Sequence, residues 1–102
     1  MNRGEIWWAE VGRKSRPVLV LTRPEVIDVR KMVTVAEITT TIRGLGVEVL
    51  VAESEAGLTE ASVVNCDGLH TVRRSSLSRC VGELDEQTMQ SVCRAVSYAL
   101  GC

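Results

Sequence analysis

Short apolar runs separated by polar joints occupy most of the chain, and the spacing of the apolar positions changes only near the C-terminus. Residues 4–11 alternate, with Ile6 and Trp8 on one side and Glu5 and Trp7 on the other. Side chains alternate across a strand, so two adjacent tryptophans point to opposite faces, one available to a core and one to a rim. The joint Gly12-Arg-Lys-Ser15 then leads into Val18-Leu-Val-Leu21, an apolar run that reads as a buried strand. Pro17 lacks a ladder donor and is expected to begin that strand or lie at an edge. Together these segments predict a hairpin whose joint carries Arg13, Lys14 and Arg16.

Thr22 is expected to cap a short helical excursion that has Pro24 at its first position. Strand character returns over residues 32–42 and is closed by Thr39, Thr40 and Thr41, whose hydroxyls leave hydrogen-bonding groups at the exit. Gly44 and Gly46 bracket a turn, residues 47–52 supply another strand, and a polar interval follows over 53–57. Residues 61–66 and 69–72 read as two strands joined at Asp67-Gly68, a tight-turn signal equally compatible with a bulge. Arg73 and Arg74 leave the second of these as a basic pair, residues 75–78 form a short turn, and residues 80–82 a last brief strand.

After Gly82 the period becomes helical. Asp85 is placed to cap a helix starting near Glu86, with Leu84 and Met89 as a hydrophobic staple. Met89, Val92, Cys93, Val96, Ala99 and Leu100 form its apolar stripe, and Gly101 stops it. Such a stripe must lie against the sheet or a second subunit. The pattern predicts one domain over residues 1–102, mainly β with helices, without repeats or low-complexity segments.

Composition narrows the function classes. The apolar share is 45% and the charged share 25%, values of a globular protein, and the apolar runs stop short of a membrane span. A cytoplasmic location is the expectation, since no signal-peptide core follows Met1. The formal charge of −1 gives no global steering toward nucleic acid, so local basic patches must carry any such role. Cys66, Cys80, Cys93 and Cys102 form no metal-binding spacing, and no metal or other cofactor is expected. Cys66, Cys80 and Cys93 lie within or beside apolar runs and are expected to act as small hydrophobes.

The candidate chemistry consists of cations at Arg13, Lys14, Arg16, Arg73 and Arg74, hydroxyls at Thr39 to Thr41, Asn65, the acid Asp67 and the lone His70. Guanidiniums suit a phosphodiester because they bind its charge and stabilise the extra charge of a phosphorane. If the substrate is RNA, its own 2′-hydroxyl can attack phosphorus, and the protein then needs only phosphate donors, a base and an acid. Arg16 can hold the phosphate and Thr39 can donate to a non-bridging oxygen. His70 and Asp67 are both candidates for proton transfer. Taken singly, each residue has a plain structural reading: a strand end for the threonines, a turn for Asp67, a solvated corner for Arg73 and Arg74.

Arg3-Gly-Glu-Ile-Trp, Arg16-Pro-Val-Leu-Val-Leu, Val35-Ala-Glu-Ile-Thr39, Ser62-Val-Val-Asn-Cys-Asp67, His70-Thr-Val and the tail from Val81 to Gly101 together resemble the MazF/PemK/Kid family of toxin endoribonucleases. The resemblance covers nearly the whole chain. It implies an SH3-like small barrel of antiparallel strands with a C-terminal α-helix, assembled as a homodimer. It also implies sequence-specific cutting of single-stranded RNA without a metal, leaving 2′,3′-cyclic phosphate and 5′-hydroxyl ends. The family's catalytic arginine and threonine fall on Arg16 and Thr39, and an acid important in some members falls on Asp67.

The partner so implied is a small antitoxin with an acidic, partly disordered tail. Arg13, Lys14, Trp7, Trp8, Thr40, Asn65, Arg73 and Arg74 are the expected RNA contacts. Some members have an arginine where this chain has Asn65, and an arginine-threonine pair where it has His70, so the proton-transfer group stays open. Two other readings remain at this point, a gyrase-poisoning toxin of the related fold and a noncatalytic binding module.

Overall fold

The structure, a computed structural model, describes residues 1–11, 13–52 and 57–102. Gly12 of the first joint and residues 53–56 of the polar interval lie outside the described residues. Among the described residues, six strands, β1 (Glu5–Val11), β2 (Lys14–Val20), β3 (Met32–Thr39), β4 (Glu48–Val51), β5 (Ser62–Arg73) and β6 (Leu77–Glu83), join two helices, α1 (Pro24–Ile27) and α2 (Glu86–Leu100). All the strand pairings are antiparallel.

The expected closure into an SH3-like barrel does not occur. The strands form one open sheet in the order β4-β5-β3-β2-β1-β6, whose outer strands β4 and β6 are not hydrogen-bonded to each other. An open sheet needs a second layer over its apolar face, and α2 supplies it by packing its stripe across β4 and β5. Ile6, Leu19, Ala36, Ile38, Val64 and Cys66 meet Val92 and Ala95 of this helix in the main core. A second cluster on the opposite face gathers Val18, Val20, Val33 and Val35 under Ile27 of α1, with Trp7 and Met1 at its margin. β3 therefore has apolar side chains on both faces, Ala36 and Ile38 in the main core and Val33 and Val35 in the second.

Helix α2 starts where the sequence places it. The Asp85 carboxylate accepts a hydrogen bond from the Thr88 amide at 2.7 Å, and that bond holds its pKa below the usual aspartate value. Gly101 ends the helix at φ 74°, a left-handed conformation suited to glycine. The stripe itself is narrower than expected, because Cys93 and Leu100 are exposed. Cys80 is exposed as well, so of the three cysteines read as small hydrophobes only Cys66 is buried. Burial, with smaller contributions from Asp67 and Cys93, pushes the Cys66 thiol up to about 11.

The strand expected over 32–42 ends at Thr39, and the last strand begins at Leu77 rather than residue 80. Three further departures have local reasons. Pro17 lies inside β2 rather than at its start: it faces Trp8 of β1, while the ladder to β3 begins only at Val18. Its missing N–H thus falls where no β3 partner waits. Thr22 does not cap α1, because its hydroxyl accepts from the Thr34 amide at 2.8 Å and ties the segment to β3 instead. The segments on either side of Asp67-Gly68 are one twelve-residue strand rather than two.

Candidate active site

The end of that long strand's pairing with β3 builds the site. Ala36 faces Leu69 and the next residue, Glu37, faces Asn65, so Cys66, Asp67 and Gly68 have no partner on β3. This bulge bends β5 and moves Asp67 out of the ladder. The Asp67 amide donates to Asn65 Oδ1 at 3.1 Å, which fixes the bulge locally.

Facing it, β2 contributes Arg16 and β3 contributes Glu37 and Thr39. These three, with Asn65 and Asp67, line a polar cleft of about 220 Å³ that Thr41, Arg43 and Glu48 complete. Glu48 Oε1 accepts from the amides of Arg43 at 3.0 Å and Leu45 at 3.2 Å, folding the loop after β3 back over the cleft. Thr39 Oγ1 accepts from the Thr41 amide at 3.1 Å, which leaves its own hydroxyl proton to donate elsewhere.

Arg16 Nη1 donates to Glu37 Oε1 at 3.2 Å. The same oxygen is 3.1 Å from His70 Nε2. Glu37 therefore joins two candidates that lie on different strands. Among the described residues Arg16 Nε is buried without a hydrogen-bond partner. A guanidinium whose Nη1 is held by a carboxylate, on a side chain still 30% exposed, keeps donors of its terminal nitrogens for an oxyanion. The cleft itself carries two arginines and three carboxylates, so phosphate binding there depends on placed donors rather than on a positive field.

The sequence-derived candidates separate in space. Arg16, Thr39, Asn65 and Asp67 come together in the cleft, while His70 reaches it only through Glu37. Arg13 and Lys14 are exposed at the start of β2, with Lys14 roughly 7 Å along the strand from Arg16 at ~3.3 Å per residue. Thr40 is exposed and outside the lining, where Thr41 stands instead. Trp7 sits at the margin of the second core with its indole Nε1 donating to Glu5 at 3.1 Å. Trp8 lies under the Arg79 guanidinium, 6.0 Å from ring centre to carbon. Neither tryptophan lines the cleft.

Arg73 and Arg74 do not join the cleft either. Arg73 faces Met32 at the far end of β3, about 17 Å along the strand from Glu37 at ~3.3 Å per residue. Arg74 is held by the Ile27 carbonyl. With Lys31 they form a separate basic surface.

Glu37, Arg43 and Glu48 complete the site without having been singled out in the sequence, whereas Thr41 stood among the candidate hydroxyls. Glu37 did carry a signal, a charge in an apolar strand on the same alternating face as Thr39. Arg43 carried none, since its placement depends on the hydrogen bond from its amide to Glu48. Among the described residues no group of three or more histidine, cysteine or carboxylate side chains is placed to hold a metal ion. No helix there is long and apolar enough to cross a membrane.

Known proteins share this architecture. The family described as PemK-like, MazF-like toxin of type II toxin-antitoxin system matches residues 2–100. The chain is 39% identical over 103 residues to the probable endoribonuclease MazF5 of Mycobacterium tuberculosis, covering 98% of this chain and 93% of that protein. Its structure is similar to that of the Mycobacterium tuberculosis toxin MazF-mt6, with a TM-score of 0.89 and 40% identity, over 95% of this chain and 96% of that one. It is also similar to an endoribonuclease solved in complex with its cognate antitoxin from a mycobacterial species, with a TM-score of 0.89 and 26% identity, over 99% of this chain and 95% of that one.

Proposed function

Because the chain belongs to the PemK-like, MazF-like toxins of type II toxin-antitoxin systems, we propose that its RNA is cut in the cleft between Arg16 and Thr39. The protein is an endoribonuclease toxin. The observation that carries the site is the convergence of an arginine with unused donors and a threonine with a free hydroxyl proton on one small polar cleft.

In this reading a phosphodiester of single-stranded RNA enters the cleft. Arg16 donates to one non-bridging oxygen and Thr39 to another. The 2′-hydroxyl of the preceding nucleotide attacks phosphorus, and the 5′-oxygen leaves, giving a 2′,3′-cyclic phosphate and a 5′-hydroxyl. Charge grows on the non-bridging oxygens as the phosphorane forms, so donors fixed beforehand stabilise the transition state more than the bound substrate. Asn65 and Asp67 border the same cleft and are proposed to contact the nucleotides on either side. Arg13 and Lys14, exposed at the mouth of the hairpin, supply the attraction for the RNA backbone that the cleft, with its excess of one carboxylate, lacks.

The protein's partners are proposed to be a second copy of itself and a small antitoxin with an acidic, partly disordered tail. The antitoxin has support from the mycobacterial endoribonuclease solved with its cognate antitoxin. An acidic tail would compete with RNA for Arg13, Lys14 and Arg16, which explains inhibition by simple charge replacement.

The test is to incubate purified protein with a diverse single-stranded RNA pool in the presence of EDTA and map both ends of every product. Cuts at one shared short sequence, with cyclic phosphate and 5′-hydroxyl ends, are expected. Products bearing 5′-phosphates, or no cleavage, would contradict the reading.

A further inference from the structure

Glu37 has no part in the chemistry above, yet it is the residue that Arg16 and His70 share. Its Oε1 atom accepts a hydrogen bond from Arg16 Nη1 at 3.2 Å and lies 3.1 Å from His70 Nε2. Its Oε2 atom takes part in neither bond and lies beside Gly68, the third residue of the bulge. The carboxyl is four-fifths buried, with 21% of the side chain exposed, and it lines the cleft between Arg16 and Thr39. Two side chains from different strands thus meet at one oxygen, and neither engages the other oxygen.

We propose that Glu37 is the general base of the cleavage, an assignment that rests on the reading of the cleft as the RNA-cutting site. The O2′–H bond breaks and its proton passes to Glu37 Oε2. The electron pair of O2′ forms the bond to phosphorus, and the P–O5′ bond breaks with its pair on O5′. Water protonates O5′, and the hydroxide so formed takes the proton back from Glu37, so no proton is gained or lost overall. Arg16 serves both anions, bonding Glu37 through Nη1 and the phosphate through its remaining donors, which offsets the repulsion between carboxylate and phosphate. His70 acts as a positioning residue that holds Oε1.

Asp67 is the rival for this role. It borders the same cleft, but its side chain is exposed, and among the described residues no hydrogen bond orients its carboxylate. A base must be held within hydrogen-bond reach of the proton it removes, and of the two only Glu37 has such a hold; the third cleft carboxylate, Glu48, is engaged by the Arg43 and Leu45 amides that fold the loop.

The test is the pH dependence of single-turnover cleavage of an RNA oligonucleotide containing the mapped site. The ionisable groups around Glu37 are Arg16 on β2, His70 and Asp67 on β5, Glu48 on β4 and Arg43 on the intervening loop. E37Q is expected to lower kcat about a hundredfold or more with KM changed only a few-fold, and to abolish the acid limb of the profile. The limb should persist in H70Q and in D67N. In the wild-type protein, whose folding is not in question, the 13C titration of the Glu37 carboxyl should coincide with the acid limb of kcat/KM. An E37Q protein that cuts at the wild-type rate or keeps its acid limb, or a Glu37 titration that falls elsewhere, would overturn the assignment of Glu37 alone. A wild-type protein that leaves RNA uncut would instead overturn the cleavage reading.

Discussion

A Cβ atom on Gly68 would lie 2.8 Å from Glu37 Oε2 and 3.2 Å from Asn65 Nδ2. The glycine is therefore a matter of space: it allows the bulge of β5 to approach the carboxylate on β3. Gly68→Ala should move the end of the Glu37 side chain, which is flexible, while leaving the backbone alone. The expected cost in stability is about 1 kcal/mol or less. Cleavage should slow roughly tenfold to a hundredfold, since a small misplacement of a reacting group is enough for that. Urea unfolding and single-turnover rates measured together check this. A G68A protein with the wild-type rate would show that the Glu37 position is unimportant.

The cap of α2 gives a stability prediction separate from catalysis. The Thr88 amide lowers the pKa of Asp85 in the folded state below its unfolded value. The sign follows from linkage: the contribution is present above the unfolded aspartate value of 3.8 and is lost as pH falls through the folded one. Asp85→Ala should lower Tm at pH 7, and the gap to wild type should narrow as pH falls below 3.8. Scanning calorimetry at several pH values measures it. A gap that is constant across that range would contradict the capping role of the charge.

Thiol reactivity tests the core. With a pKa of about 11, only about one Cys66 in a thousand is thiolate at pH 8, and the side chain is buried besides. Iodoacetamide should label Cys80, Cys93 and Cys102 in the folded protein and reach Cys66 only after unfolding. Mass spectrometry of the labelled peptides reads the result. Fast labelling of Cys66 in the native state would mean that α2 is not docked as described.

The elements of the fold were largely legible, because strand alternation, the Asp85 cap and the Gly101 stop are local signals. How the strands associate was not. Closure or openness of the sheet depends on whether its outer strands β4 and β6 meet, and no short stretch of sequence encodes that. The same division runs through the site. Arg16 and Thr39 stood out at strand ends and do share one cleft. Arg73, Arg74 and Trp8 were read as RNA contacts, but register puts the two arginines at the far end of the sheet and Trp8 outside the cleft. Glu37 was visible as a charge among apolar residues, yet its contact with His70 needs the three-residue bulge between Asn65 and Leu69. That bulge followed from neither composition nor spacing; Asp67-Gly68 allowed it without requiring it.

The most direct measurement is the single-turnover cleavage rate of wild type, Arg16→Ala and Thr39→Ala on one RNA oligonucleotide, with the same oligonucleotide carrying 2′-deoxy at the cut nucleotide as a control. Each substitution removes a donor to the developing phosphorane charge, so each rate should fall about a hundredfold or more, with RNA affinity changing far less. The deoxy oligonucleotide should not be cut at all. Rates in both variants equal to wild type, or cleavage of the deoxy substrate, would contradict the placement of the chemistry between Arg16 and Thr39.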